Sequence, residues 1–285
     1  MHTCLREGAA RPHRYDVILL SAGLLFACAE KQDGSSAAAL EGSRIRAQEA
    51  RSLQLSGDFD GARAVLEAHR ETFRAAGSEG EARYWLEWGR TFVSHRHAPD
   101  LLGPEALDAA RDAYERSRRI SRASGHDALR VDALHMMAFV DSSPEEQEAW
   151  TRRALKVALA SRQSEARRWE ASLRSNLGEA LYDLGRFEPA LVEFQSALAL
   201  RQAQGAPAPA LRDAEWHVAR ALRQLGHTQR ALSLQQRISA EAWKADAPRP
   251  YFYEELALLY AAVGDEARAE HFAEHGRALR GPGPH

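Results

Sequence analysis

From about residue 37 onward, apolar side chains recur three and four positions apart. Leu177, Leu181 and Leu184 make one such run, and Ala190, Phe194 and Ala197 make another. That spacing gathers apolar groups on one face of a 3.6-residue helix. Ala, Leu, Glu, Arg and Gln dominate these stretches, and all are good helix formers. No sustained two-residue alternation marks a β-strand. The interruptions are short and carry Gly, Pro, Asp or Ser.

The interruptions also repeat. Gly57, Gly185, Gly226 and Gly264 each end one expected helix and precede another. Gly185 and Gly226 are 41 residues apart, and Gly226 and Gly264 are 38 apart. The 128 residues between Gly57 and Gly185 divide into three units of about 43. The intervening breaks then fall at His97-Ala98-Pro99-Asp100 and at Asp141-Ser142-Ser143-Pro144. A fixed period near 40 with two helices per unit marks a helical repeat array. Gly77, Gly125 and Gly205 stand where second helices should stop. Ser143-Pro144-Glu145-Glu146 supplies a hydroxyl cap, a first-turn proline and an acid at the third helical position. The expected architecture is all-α, a superhelical solenoid of about six antiparallel helix pairs over residues 37–281. Residues 282–285 are expected to form a flexible tail.

One unit carries a family resemblance. Asn176-Leu177-Gly178, then Tyr182, Gly185, Ala190, Phe194 and Ala197, resembles a tetratricopeptide repeat. Gly178 lets the first helix approach its neighbour, Ala190 and Ala197 mark the crossing, and Tyr182 and Phe194 fill the space between. Unit five keeps Ala219, Gly226 and Ala231, but Gln235 replaces the aromatic residue. Unit six has Ala257, Gly264, Ala269, Ala273 and Gly276. Unit two has Trp85, Trp88 and Gly89, then Ala110 and Tyr114 after a longer loop. Unit one keeps Gly57 and Ala62, and the register of unit three is not legible. Units near 41 residues exceed the family's usual 34, so longer helices are expected.

In that family, first helices line a concave surface. Carried onto unit four, the resemblance implies that Ser172, Ser175, Asn176, Glu179, Tyr182 and Asp183 face it. On unit five it implies Asp213, Trp216, His217, Arg220, Arg223 and Gln224, and on unit two Arg83, Glu87 and Arg90. Asn176 is expected to bond the backbone of a bound peptide, because an amide donates and accepts at once. His217, Arg220 and Arg223 form a stripe suited to an acidic segment or a C-terminal carboxylate. The competing expectation is that they make ordinary surface pairs three and four residues apart. Trp85, Trp88, Trp150, Trp169, Trp216 and Trp243 divide between interhelical packing and exposed anchors.

The N-terminus changes the picture of location. Arg11, His13 and Arg14 precede an apolar run, Val17 to Ala27. Eleven residues are too few to span a bilayer, but they match the core of a secretory signal peptide. Leu25-Phe26-Ala27-Cys28 resembles a bacterial lipobox, which implies lipidation at Cys28. Residues 1–36 are then a leader and polar tether, and the expected location is the bacterial cell envelope. Phe26 and Asp16 depart from that pattern. The alternative is a soluble cytoplasmic adaptor or regulator.

Charge and chemistry narrow the function. Thirty-eight basic and 40 acidic residues give a net charge of −2, which argues against a dedicated nucleic-acid binder. Cys4 and Cys28 are the two cysteines, so the repeats hold no disulfide and no cysteine zinc site. His271-Phe272-Ala273-Glu274-His275 resembles the metal motif of inverzincin proteases. No Asp or Glu follows Glu274, and two ligands do not make a catalytic site. His95, His97 and Asp100 fall in an expected polar loop. No phosphate loop or nucleophile elbow occurs. The expected function is a non-catalytic scaffold, without cofactor, that binds a protein or peptide segment in the concave groove. A metal-dependent hydrolase built on His271 and His275 is the third reading.

Overall fold

The computed structural model describes residues 16–94 and 103–280, with side chains described from residue 36. Fourteen helices follow one another among the described residues, and they form six pairs. The first pair is α1 (Asp16–Ser56) with α2 (Phe59–Ala68) and α3 (Arg70–Ala75). The second is α4 (Gly77–Arg90) with α5 (Pro104–Ser124), and the third is α6 (Asp127–Val140) with α7 (Pro144–Ala160). The fourth is α8 (Ser164–Arg167) and α9 (Glu170–Asp183) with α10 (Phe187–Ala203). The last two are α11 (Ala208–Gln224) with α12 (Thr228–Lys244), and α13 (Pro250–Ala262) with α14 (Glu266–Arg280). About twelve helices were expected. The extra two arise where the second helix of unit one breaks at His69 and where α8 forms a separate turn ahead of α9.

The turns within the pairs share one geometry. Gly57, Gly185, Gly226 and Gly264 adopt φ between 70° and 87°, which favours a residue without Cβ. The next residue's N–H then closes back onto the carbonyl five positions earlier. The bonds are Asp58 to Leu53, Arg186 to Leu181, His227 to Leu222 and Asp265 to Tyr260, at 2.8–2.9 Å. This is a Schellman-type closure that satisfies the last helical carbonyls. Unit three uses another device. There α6 ends at Asp141, and Ser143 Oγ accepts from the Glu146 N–H at 3.3 Å to start α7. Without glycine in that turn, the unit's register is hidden from a search for the glycine period.

Within the pairs the expected small-against-large packing is present. A Cβ on Gly178 would stand 2.5 Å from the Phe194 ring, and one on Gly89 would stand 2.5 Å from Tyr114. Ala62, Ala110, Ala190, Ala219 and Ala231 are fully buried. Gln235, which replaces the aromatic residue in unit five, is buried too, and its Nε2 donates to the Phe252 carbonyl at 2.9 Å. Each second helix also packs on the first helix of the next unit, so the core runs from pair to pair. Trp150 touches both the core of units two and three and that of units three to six.

Lipidation at Cys28 falls on a side chain outside those described, and residues 1–15 and 281–285 lie outside as well, as do His95, His97 and Asp100. Among the described residues no helix is long and apolar enough to cross a membrane.

Candidate functional site

The first helices α1, α4, α6, α9, α11 and α13 stand side by side and form one wall. Its polar residues join mostly across units. Arg51 donates to both carboxylate oxygens of Glu87, at 2.8 and 2.6 Å. Arg90 bonds Glu87 at 3.0 Å and also reaches Asp132 of the next first helix. Asn176 Nδ2 lies 3.2 Å from His135 Nδ1, one unit earlier. Arg220 donates to Glu179 at 3.1 Å, and Gln224 donates to the Tyr182 hydroxyl at 3.0 Å. Arg223 binds Glu255 through two bonds, at 2.7 and 3.2 Å. The Tyr251 hydroxyl donates to Asp213 at 2.8 Å.

These pairs correct two expectations. His217, Arg220 and Arg223 are not a free cationic stripe, because Glu179 pairs with Arg220 and lies against His217, and Glu255 pairs with Arg223. Nor are their partners three or four residues away on the same helix. The partner sits on an adjacent first helix, 41 residues off for Glu179 and Arg220 and 32 for Arg223 and Glu255. His217 Nδ1 lies against Glu179 Oε1, though without the angle of a hydrogen bond. Its ring stacks on Phe194 at 5.0 Å, and the Arg220 guanidinium covers both Tyr182 and Trp216.

Burial corrects a third expectation. Arg90, Glu87 and Ser175 are interior groups rather than groove-facing ones, with exposures of 5%, 4% and 7%. Ser175 Oγ accepts from Arg201 at 2.7 Å. Burial pushes the Asp132 carboxyl up, but Arg90 and Arg51 outweigh it and hold the group below the usual carboxylate range. Burial likewise raises Glu179, and the contacts with His217 and Arg220 bring it below its ordinary value.

The wall opens into two cavities across units one to four, and Trp169 lines both. One, of about 610 Å³, is bounded by Arg44, Glu79, Arg83, His126 and Asp132 with Trp169. The other, of about 420 Å³, is bounded by His135, Phe139, Ser172, Asn176 and Glu179 with Trp169. The Trp169 and His135 rings lie 5.3 Å apart. Of the groove residues expected from sequence, Arg83, Ser172, Asn176 and Glu179 line these openings. Tyr182, Trp216, His217, Arg220 and Arg223 belong instead to the paired wall beyond them. Sequence reasoning missed Glu79, Asp132, His135, Phe139 and the position of Trp169. One signal was available for His135, which lies 41 residues before Asn176.

His271 and His275 line another cavity, of about 370 Å³, with Trp243, Tyr253 and Phe272. Their ring centroids are 6.5 Å apart. Among the described residues, no group of three His, Cys, Asp or Glu gathers to hold a metal.

No family model and no curated protein matches this chain. Solved structures do. A signal-transduction ATPase with a tetratricopeptide repeat sensor, from Pyrococcus horikoshii, superposes with a TM-score of 0.60 at 15% identity. The match covers 92% of this chain and 40% of that one, so this chain spans well under half of that protein's length. The apo form of RapI gives 0.57 at 11% identity, covering 83% of this chain and 76% of its own. BtubC from P. vanneervenii gives 0.52 at 14% identity, covering 88% and 94%. The fold is that of a tetratricopeptide-type helical solenoid.

Proposed function

We propose that this chain is a non-catalytic scaffold that binds an extended segment of another protein on its first-helix wall, centred on Trp169. One observation carries the reading. Two adjoining cavities meet at a half-buried tryptophan, where a side chain from each can share one anchor. Aromatic groups from His135 and Phe139 flank the anchor, and Asn176 brings an amide to the same opening. Arg220 and Arg223 serve as struts between units rather than as ligands. The archaeal ATPase carries a repeat region named as a sensor, which supports a binding role for the same fold here.

The test is selection of peptides from a random library on the full chain, followed by affinity measurement. Trp169→Ala should weaken an enriched peptide by about thirtyfold, the loss typical of a buried aromatic anchor. Unchanged affinity in Trp169→Ala would remove this site.

We also propose export and lipid anchoring at Cys28, on the strength of the apolar run and Leu25-Phe26-Ala27-Cys28. Cell fractionation checks it. A Cys28→Ser variant should leave the membrane fraction, and one that stays there refutes anchoring through this residue.

A further inference from the structure

A different arrangement of charge lies between the second helices α5 and α7, over α6. A cavity of about 470 Å³ opens there, a size suited to a small ligand. Its floor includes Leu134, Trp150, Val157 and Ala160, and four cations surround it: Arg118, Arg130, Arg153 and Lys156. Three successive helices therefore each contribute positive charge.

Among the described residues, Arg44, Arg83, Arg90, Arg220 and Arg223 of the first-helix wall each have a carboxylate partner. Here the pairing largely fails. Arg118 binds Glu115. Arg130 and Lys156 make no ion pair among the described residues, and Arg130 Nε is buried without a hydrogen-bond partner. The Arg153 guanidinium lies 4.4 Å over the Trp150 ring, not on an acid. Asp127, the one carboxylate lining the cavity, accepts instead from Ser161 Oγ at 2.7 Å. Trp150 is itself fixed, since its Nε1 donates to Asp141 at 2.7 Å.

Burial holds the Arg130 guanidinium below its usual range, Arg122 and Arg118 add repulsion, and Asp127 offsets only part of this. Leaving the buried Nε without a hydrogen-bond partner costs stability. Partial exposure moderates that cost but does not explain why cations from three helices converge. An anion that enters the cavity offsets the repulsion among these cations.

We propose that this cavity binds a small organic oxyanion carrying more than one negative charge, a phosphate ester or a polycarboxylate. Arg130 and Arg153 offer planar donor forks to its oxygens, and Lys156 adds a point charge. The organic part lies against Leu134, Val157 and Ala160. The site shares no lining residue with the cavities at Trp169 and stands independently of the proposed peptide site.

Calorimetry on the full chain at low ionic strength, with pyrophosphate and citrate as separate probes, tests it. At least one probe should bind saturably with one-to-one stoichiometry. The double variant Arg130→Gln, Lys156→Gln should weaken that binding at least about tenfold, as expected for loss of charge-assisted bonds. Arg152→Gln, an exposed neighbour paired with Glu148, should change it less than about twofold. Melting provides a readout that a purely structural cation would move the other way. Without ligand, Arg130→Gln should melt above the wild type, because repulsion is relieved. Failure of both probes to saturate overturns the proposal, as does equal loss in Arg152→Gln or a lower melting point in Arg130→Gln. Flotation with phosphatidylglycerol vesicles forms the last arm. Vesicle binding that the double variant abolishes, with neither soluble probe binding, assigns the cluster to a membrane surface and also overturns it.

Discussion

The wall of first helices and the cavity over α6 treat charge in opposite ways. On the wall, acid meets base one unit away: Arg51 reaches Glu87, Arg90 reaches Asp132, Arg220 reaches Glu179, and Arg223 reaches Glu255. Over α6, Arg130, Arg153 and Lys156 line a cavity whose one carboxylate, Asp127, is already engaged by Ser161. Both regions sit on the same stack of hairpins. The scaffold therefore does not decide which charges are satisfied. The side chains one period apart decide it, and paired charges tie units together while unpaired ones leave a place for something else.

The largest expected effect breaks the paired side. Arg90→Ala removes the cation that Glu87 and Asp132 share, with Arg51 still bonded to Glu87, and should destabilise by about 2–4 kcal/mol in denaturant unfolding. A loss under about 1 kcal/mol would mean that the network contributes little. Next comes the packing that brings the helices within reach. Gly178→Ala places a methyl group on the Phe194 ring and should cost about 1–3 kcal/mol by the same assay.

A smaller effect appears in pH dependence. Asp132 and Glu179 both have folded-state values lowered by their cationic neighbours. Their contribution is fully present above the ordinary carboxylate range, about pH 4, and is lost as pH falls through the lower folded values. Melting temperature should therefore drop on acidification below about pH 4. Glu179→Gln should make that drop shallower, and an unchanged profile would exclude Glu179 from it. The smallest effect has the opposite sign. Arg130→Gln should stabilise by a few tenths of a kcal/mol up to about 1 kcal/mol, since it removes an unpaired cation.

Two clefts in equivalent places extend the lesson. The cavity over α6 and the one over α13 each lie between successive second helices. The first is cationic, while the second is lined by Trp243, Tyr253, Phe272, His271 and His275. Trp243 is 60% exposed beside it, in contrast to Trp85, Trp88, Trp150, Trp169 and Trp216, which are partly buried. The helical period predicts a cleft in both units, but it says nothing of their contents.

Much of the fold was legible because local rules fix it. The positive-φ glycines place four of the six hairpin turns, and Gly178 against Phe194 sets how closely one pair packs. Unit three escaped because Asp141 and Ser143 make its turn by extended backbone and a side-chain cap. The candidate site was legible only in part. Ser172, Asn176 and Glu179 were found by register with the repeat family, while His135, Phe139 and Asp132 lay in the unit whose register was hidden.

The amino-acid order alone determined the helices, their hairpins and the period near 41, since apolar spacing, glycine dihedrals and caps act within a few residues of one another. It also placed Arg220 and Arg223 on one helical face. Which acids would meet them was decided only when neighbouring units stacked. Long side chains reach whatever the adjacent helix presents, and a few degrees of rotation between repeats exchange one partner for another. Pairing on the wall, the openings at Trp169 and the unmatched cations over α6 are all products of that stacking.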